Sequence, residues 1–252
     1  MPDRPYVIIN TAMSVDGKID TVERKGASIS SPEDKRRVLE LRAQVDAVMV
    51  GGNTLLRENP KLTVKLPELE AMRLAKNLPP NPAKVGILSK AQGLDPAGGF
   101  LSAGPARKII FTTEQSSAEQ VNVLLEQGVE VYRIGEKRVD LAQSLKTLTV
   151  LGIQTLMVEG GATLIAEFLR LGLADELRIY IAPKLFGGAT APTLVDGEGW
   201  PEAAARKLTL AEACVFDESG GVLLMYRFQD ALSRSSGEYN VAHSTPRTGF
   251  TA

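Results

Sequence analysis

The chain contains few of the side chains that most often perform catalysis or bind metals. Its 252 residues include one cysteine, Cys214, and one histidine, His243. A disulfide within the chain is therefore excluded, and a zinc site built from thiolates and imidazoles would lack ligands. Histidine is the usual general base at neutral pH. Any chemistry must therefore use carboxylates, hydroxyls, lysine, arginine or a bound cofactor.

Strong charge and long apolar runs are also missing. The formal net charge is −1 and no long basic run is present, which disfavours nucleic acid as a partner. No apolar stretch approaches the roughly 20 residues that a membrane span requires. The first residues, MPDRPYVIIN, enter a strand-like run almost at once, so a signal peptide is not expected. A cytoplasmic protein without nucleic-acid or membrane partners is predicted.

The two rare side chains are not expected to act in catalysis. Cys214 lies in the strand-like stretch EACVF and is predicted to be a small buried hydrophobe. His243 lies in a polar, Ser/Thr-rich segment, residues 230–252, which is predicted to be a disordered tail.

Hydrophobic periodicity predicts an alternation of strands and helices. Ser31 is expected to cap the first helix, with Pro32 in its first turn. Strands are predicted at 6–14, 47–52, 83–88, 108–113, 129–134, 154–159, 176–183, near 207–216 and at 221–229, and helices at 31–44, 117–128, 140–152 and 162–171.

This alternation predicts an α/β fold with a mainly parallel sheet and helices on both faces. The last two strands are joined by DESGG, residues 217–221, a turn signal that predicts an antiparallel C-terminal hairpin. Residues 1–229 are expected to form one domain. Residues 66–82, with a short charged helix and a Pro/Asn linker, are predicted to be an insertion.

The stretch LMVEGGATLIAEFL, residues 156–169, carries the strongest functional signal. Glu159, Gly160 and Gly161 stand where a strand becomes a helix. In open α/β sheets ligands bind beyond the carboxyl ends of the strands, and the helix N-terminus favours phosphate. A tight strand-to-helix turn without function explains the glycines equally well. The pattern also departs from the GxGxxG fingerprint of Rossmann domains.

Other strand ends carry weaker signals. Gly51 and Gly52 lead into Thr54, which could cap a short helix or hold a cofactor, and two glycine-rich strand ends facing one crevice would suit a dinucleotide. Arg42 could reach solvent along its apolar stem or clamp a phosphate or carboxylate. The DGK tripeptide, residues 16–18, is expected to form a turn.

Four blocks together resemble the pyrimidine reductases of riboflavin biosynthesis, which have a dihydrofolate-reductase-like fold. The blocks are TAMSVDGKI, LRAQVDAVMVGGNTLLRENPKLTV, VEGGATLIAEFL and LADELRIYIAPKLFGGATAPT, and the match spans roughly residues 6–229. The family includes stand-alone diaminopyrimidine phosphate reductases and the reductase half of a bifunctional deaminase-reductase. The zinc signature of the deaminase, an H-x-E and a PCxxC pattern, is absent from this sequence, so a reductase alone is expected.

The resemblance implies a set of site residues. It places NADPH along Thr54, Glu58, Ser89 and the turn Gly160, Gly161, Ala162, Thr163 and Leu164, and it places a sugar-phosphate substrate near Arg42, Leu62, Lys65 and Glu159.

Several of these positions depart from the family pattern. The family usually has Asp at Glu58, commonly an acidic residue at Leu88, and commonly Arg at Lys65. A lysine of bacterial members is replaced by Asn10, and Ser28 stands where relatives differ widely.

The reaction implied by the resemblance is a hydride transfer. The ribose of a ribosylamino-pyrimidine 5′-phosphate opens to an imine, and the C4 hydride of NADPH reaches C1′ to give the ribitylamino product. Glu159 would contact substrate or assist proton transfer, Asp16 is a second catalytic candidate on a loop over the nicotinamide, and Arg42 and Lys65 would hold phosphate.

Two alternatives remain at this point. One is a reductase of a pterin or another heterocycle in the same fold; the other is a non-catalytic nucleotide-binding or sensor protein. Family members are commonly homodimers, and the strand ELRIYIAP is the expected sheet edge for contact with a partner copy. The choice between a diaminopyrimidinone and a uracil substrate, and between NADPH and NADH, stays open.

Overall fold

The computed structural model describes residues 3–229 of the chain. The predicted tail 230–252 and His243 lie outside this range. Within it, the strands are β1 Tyr6–Ser14, β2 Ala47–Gly51, β3 Ala83–Ile87, β4 Lys108–Thr112, β5 Glu130–Arg133, β6 Thr155–Val158, β7 Glu176–Ala182, β8 Leu208–Val215 and β9 Val222–Phe228.

The helices are α1 Pro32–Gln44, α2 Gly52–Glu58, α3 Pro67–Ala75, α4 Gly99–Ser102, α5 Ala118–Glu126, α6 Leu141–Val150 and α7 Ala162–Arg170, with a 3₁₀ turn at Glu202–Ala204. The predicted cap of α1 is confirmed, because the Ser31 side chain accepts a hydrogen bond from the Asp34 amide and Pro32 opens the helix. No helix within the described range is both long and apolar enough to cross a membrane.

All nine strands described between residues 3 and 229 form one sheet in the order β5-β4-β3-β2-β6-β1-β7-β9-β8. In this spatial order, the first seven strands, from β5 at the edge to β7, pair in parallel with their neighbours. Strand β9 pairs antiparallel with both β7 and β8. A mainly parallel sheet with an antiparallel C-terminal hairpin is therefore confirmed. The expectation that residues 176–183 form a sheet edge is wrong, because β7 pairs with β1 on one side and with β9 on the other.

Apolar side chains alternate along the central strands and build a core on each face. Val7 and Ile9 of β1 pack in the core that includes α6 and α7, whereas Ile8 packs with residues of α1, α2, α4 and α5. The prediction of helices on both faces is thus confirmed. Burial of apolar surface on both sides explains why these strands read as near-continuous apolar runs.

The predicted turn between β8 and β9 is present and is organised by Asp217. Its carboxylate accepts hydrogen bonds from the amides of Ser219 at 3.1 Å and Gly221 at 3.0 Å, and from the Tyr180 hydroxyl at 2.6 Å. The prediction for Cys214 is right about the strand and wrong about burial. Cys214 lies on β8 at the end of the sheet and is half-buried, because no further strand among the described residues covers that edge.

The segment 66–82 is closely packed against the rest of the domain. It contains α3, which contacts α1 and buries Leu69 and Arg73. The Arg73 guanidinium donates to the carbonyls of Ala43 at 3.1 Å, Val45 at 2.8 Å and Pro79 at 2.8 Å. It thereby satisfies carbonyls at the C-terminal end of α1, which lack partners inside that helix. That the segment is an insertion relative to relatives stays a prediction.

Candidate active site

A cavity of about 400 Å³ opens at the carboxyl ends of the three central strands β2, β6 and β1. The chain passes from β1 through α1 to β2, and β6 later inserts between them, so the loops after β2 and β6 diverge at this point. Crevices of this kind are the usual ligand sites of open α/β sheets. The lining residues are Asn10, Thr11, Ala12, Ile19, Ala27, Ser28, Ile29, Ser30, Lys35, Val38, Leu39, Arg42, Thr54, Glu58, Lys65, Glu159, Gly160, Gly161 and Ile165.

Glu159 and Arg42 form a bidentate ion pair in the wall of the cavity. Arg42 Nε lies 2.6 Å from Glu159 Oε1, and Arg42 Nη2 lies 2.7 Å from Oε2. A third donor, Nη1, reaches the Thr63 carbonyl at 3.0 Å. Burial alone would lower the Arg42 pKa, but the Glu159 charge and hydrogen bonds raise it above its usual value. The expectation that Arg42 reaches solvent is therefore wrong, since its side chain is buried and paired.

The diglycine turn lies directly beside this ion pair. The Glu159 amide donates to the Met49 carbonyl, and the Gly51 amide donates to the Gly160 carbonyl, which ties the ends of β2 and β6 together. A β-carbon on Gly161 would lie 3.1 Å from Thr54 Oγ1. A side chain at this position would therefore crowd the Thr54 hydroxyl between the two strand ends.

The start of α7 follows the turn, with Gly161 as its N-cap. The first amides of a helix have no acceptor inside the helix and favour an anion. Ala162 and Leu164 are buried and Thr163 is exposed, and their side chains do not line the cavity. Any contact that these three residues make with a cofactor would come from the backbone of this first turn.

Thr54 and Glu58 both lie on α2 and face the cavity. The alternative that Thr54 caps a short helix is right about the helix and wrong about the cap. The helix is α2, but its N-cap is Gly51 and Thr54 lies inside it. Partial burial, together with the charge of Asp20, raises the pKa of the Glu58 carboxyl above its usual value. These two side chains thus offer a hydroxyl and a carboxyl to a ligand beside the diglycine turn.

Three other predicted residues lie away from the cavity. Leu62 is fully buried in the core, with a positive φ of 51°, and Ser89 is exposed just beyond β3. Asp16 lies in the turn after β1, where the DGK turn is confirmed.

The Asp16 carboxylate accepts hydrogen bonds from Ser14 Oγ at 2.6 Å, the Phe186 amide at 3.2 Å and the Gly187 amide at 2.7 Å. These bonds, first the one from Ser14, lower its pKa from 3.8 to about 2. Asp16 therefore joins two loops, and its position gives no support to the predicted catalytic role.

Sequence reasoning missed most of the cavity's other wall. Residues 27–30 and the first half of α1 contribute Ser30, Lys35 and Val38, and Ser28 also lines the cavity although its position in the sequence gave little reason to expect it. One signal was available, since Lys35 is a basic residue in the first turn of a helix, where cations are unfavourable. The position of residues 19–30 depends on contacts with the distant segment near residue 190, which local sequence does not encode.

Comparison with known proteins identifies the family. Residues 5–220 match the model of the RibD C-terminal domain. The chain belongs to this family. It is 43% identical over 216 residues to a protein of Methanothermobacter thermautotrophicus, and 41% identical over 197 residues to one of Archaeoglobus fulgidus. Both are named 2,5-diamino-6-ribosylamino-4(3H)-pyrimidinone 5′-phosphate reductase, and the alignments cover 85% and 78% of this chain and 95% and 89% of the relatives.

Solved structures agree on the fold. A pyrimidine reductase-like protein from Corynebacterium diphtheriae superposes with a TM-score of 0.76 at 19% identity, covering 89% of this chain and 92% of that one. The riboflavin biosynthesis reductase Rib7 of Saccharomyces cerevisiae superposes with a TM-score of 0.66 at 21% identity, covering 90% and 91%. The dihydrofolate-reductase-like fold expected from the sequence is confirmed, and so is an oxidoreductase of the riboflavin pyrimidine reductase family.

Proposed function

We propose that this chain is an NADPH-dependent reductase that converts 2,5-diamino-6-ribosylamino-4(3H)-pyrimidinone 5′-phosphate to its ribitylamino form. The observation that carries the proposal is the pairing of Glu159 with Arg42 beside the Gly160-Gly161 turn, in a cavity at the centre of the sheet. This arrangement puts one oriented carboxylate next to a crevice that admits a phosphate-bearing cofactor.

The diaminopyrimidinone is favoured over the deaminated uracil substrate by the relatives. Three proteins named for the diaminopyrimidinone reaction are 39–43% identical to this chain. The bifunctional RibD relatives are 31–33% identical, and this chain covers about half of their length. The higher similarity over nearly the whole of the relatives supports the same substrate here.

The residues present fit a dinucleotide. The missing β-carbon of Gly161 leaves a cradle beside Thr54, and the first turn of α7 offers amides to a phosphate. Thr54 and Glu58 would hold hydroxyl groups of the cofactor. The reduced nicotinamide supplies the hydride when it is bound.

The protein's own contribution is placement and electrostatics. Arg42 holds the Glu159 carboxylate in one orientation, so that it can accept a hydrogen bond from the substrate or guide a proton to it. Holding the reacting carbons about 3–3.5 Å apart lowers the barrier without any covalent intermediate on the protein. Hydride transfer to an imine needs no strong nucleophile, which is consistent with the scarcity of cysteine and histidine.

We further propose that the enzyme acts as a homodimer in the cytoplasm, where reduced nicotinamide cofactors are available. The homodimer is what the family resemblance implies.

The test is an absorbance assay of NADPH oxidation with the diaminopyrimidinone and uracil ribosylamino phosphates in parallel, repeated with NADH. We expect turnover with NADPH and the diaminopyrimidinone. Glu159→Gln should lower kcat/KM by about 100-fold, the lower range for a lost proton-transfer or orienting group. Glu167→Gln, which removes an exposed pair with Arg170, is the matched control and should retain activity.

Cofactor binding without NADPH oxidation in the presence of either substrate would reject the proposed pyrimidine reductase activity. It would leave a nucleotide sensor or a reductase of another heterocycle as the explanation of the cavity.

A further inference from the structure

Two lysines that line the cavity have no acidic partner within residues 3–229. Lys35 lines it from the first turn of α1, and Lys65 lines it from the segment after α2. Both side chains are exposed at the opening, and in residues 3–229 neither forms an ion pair. Within the described part of the chain, the Lys35 ammonium donates only to Ser28 Oγ, at 3.2 Å. A positive charge that lines a cavity without a partner is available to an anionic ligand.

The position of Lys35 is unfavourable for the helix itself. It stands in the first turn of α1, where the amide dipoles already create positive potential. Two acidic residues share this turn: Glu33 is exposed, and Asp34 is buried and paired with Arg37. Departures from local preference are found at functional sites.

The charges around Lys65 also favour an anionic ligand. Its pKa is lowered, first by partial burial and then by the charges of Arg42, Lys61 and Lys35, with only Glu159 acting in the opposite direction. Lys65 therefore lies among more positive than negative charges.

Glu58 also lines the cavity, where partial burial and then the charge of Asp20 raise the pKa of its carboxyl. A phosphate dianion is attracted to the two lysines and repelled by carboxylates.

Arg42 is poorly placed to bind that phosphate. Its Nε and Nη2 face the Glu159 carboxylate, and its Nη1 donates to the Thr63 carbonyl. To clamp a phosphate with its guanidinium fork, it would have to release Glu159.

We propose that Lys35, acting with Lys65, binds the 5′-phosphate of the substrate, while Arg42 positions Glu159. This inference rests on the proposed function for the identity of the substrate. It assigns a phosphate-binding role to Lys35, which the family resemblance did not imply.

The first experiment measures binding of ribose 5-phosphate to the full chain by calorimetry, with ribose as the unphosphorylated comparison. Lys35→Met should weaken ribose 5-phosphate binding by roughly 10- to 100-fold, the usual loss for a charge-assisted hydrogen bond. Lys35→Arg should retain most of the affinity because it retains the charge. Lys146→Met, at an exposed lysine of α6, is the control and should bind like the unmodified chain.

The second experiment follows steady-state kinetics with the phosphorylated substrate. We expect Lys35→Met to raise its KM by a similar factor, with kcat and the KM for NADPH little changed. A merely structural role would instead change both substrates' constants and the unfolding midpoint.

Unchanged binding of ribose 5-phosphate by Lys35→Met would overturn the inference. So would an equal loss for ribose, since the phosphate would then not be the group recognised. Lysine-dependent binding in a chain that oxidises no NADPH would keep the phosphate site and reject the proposed reductase.

Discussion

At the scale of single residues, the ion pair of Glu159 and Arg42 links stability to function. Both side chains are largely buried, with 13% and 11% of their surface exposed. Removing one partner of a buried pair typically costs about 3–5 kcal/mol, because the other charge remains without a partner. The two residues are therefore best studied with conservative substitutions, so that loss of activity is not confused with loss of folding.

Asp16 provides a test that separates a loop anchor from a catalytic acid. We expect Asp16→Asn to speed hydrogen exchange at the Phe186 and Gly187 amides, which donate to this carboxylate. Turnover should stay within about threefold of the unmodified chain, far from the roughly 100-fold loss expected for a proton-transfer group. Asp95→Asn, an exposed loop residue, is the control. Unchanged exchange together with a turnover rate that falls about 100-fold would restore the catalytic role.

The pH dependence of this exchange has a defined sign. The folded-state pKa of Asp16 is about 2, below its ordinary value of 3.8. The hydrogen bonds from the two amides to the Asp16 carboxylate are therefore complete above about pH 4 and are lost as the pH falls through 2. The reason is that this carboxylate takes up its proton at a lower pH in the folded chain than in the unfolded chain. Protection at the two amides should converge between the unmodified chain and Asp16→Asn in this window.

The sequence indicates individual site residues but not which side chains they contact. Glu159 and Arg42 are both predicted to contact substrate, and each proves to be the other's closest charged contact. They are 117 positions apart, so no local pattern could indicate the pair. Lys35 was missed because the wall that it shares with residues 27–30 depends on tertiary contacts.

At the scale of elements, the strands and the longer helices were predictable and the shortest helix was not. The predicted strand at 6–14 matches β1, whose apolar side chains are buried on both faces. In contrast, α4 has four residues and no side-chain cap at its N-terminus. Short helices of this kind are held by packing, here by buried Phe100, rather than by intrinsic preference.

The helix α3 allows a test of whether residues 66–82 are dispensable. Arg73 is 1% exposed and holds carbonyls of α1 and of the following loop. We expect Arg73→Met to reduce the free energy of unfolding by about 3 kcal/mol, since it leaves several buried acceptors without a donor. Urea denaturation would measure this loss.

The control for Arg73→Met is Arg170→Met on α7. Arg170 is 57% exposed and its ion pair with Glu167 lies on the surface, so the change should stay within about 0.5 kcal/mol. Equal effects of the two substitutions would mean that α3 adds little to the stability of the domain.

At the scale of the whole molecule, β8 is the long exposed edge of the sheet. It has eight residues, and Leu210 and Val215 on it are 53% and 45% exposed. Long apolar edges favour association with another strand or chain. This is the surface on which we expect the proposed homodimer to form, in place of the buried strand β7.

Sedimentation measurements test this expectation. The unmodified chain should sediment at about twice its mass of 27.1 kDa. Leu210→Lys should shift the equilibrium towards the monomer by about tenfold, whereas Val150→Lys, at an exposed position of α6, should not. A monomer at all concentrations would reject the dimer, and a dimer unaffected by Leu210→Lys would place its interface elsewhere.

The order of the strands also constrains when the chain can fold. Among the described strands, β1 pairs only with β6 and β7. Tyr6 of β1 therefore cannot pair until its partner Thr155 has been synthesised, much later. The strands β2, β3, β4 and β5, in contrast, are neighbours in both sequence and space. During synthesis, β2 to β5 can assemble while β1 still lacks a partner strand and has its apolar faces exposed. The strand that supplies one wall of the cavity can therefore be fixed only after β6 and β7 have been made.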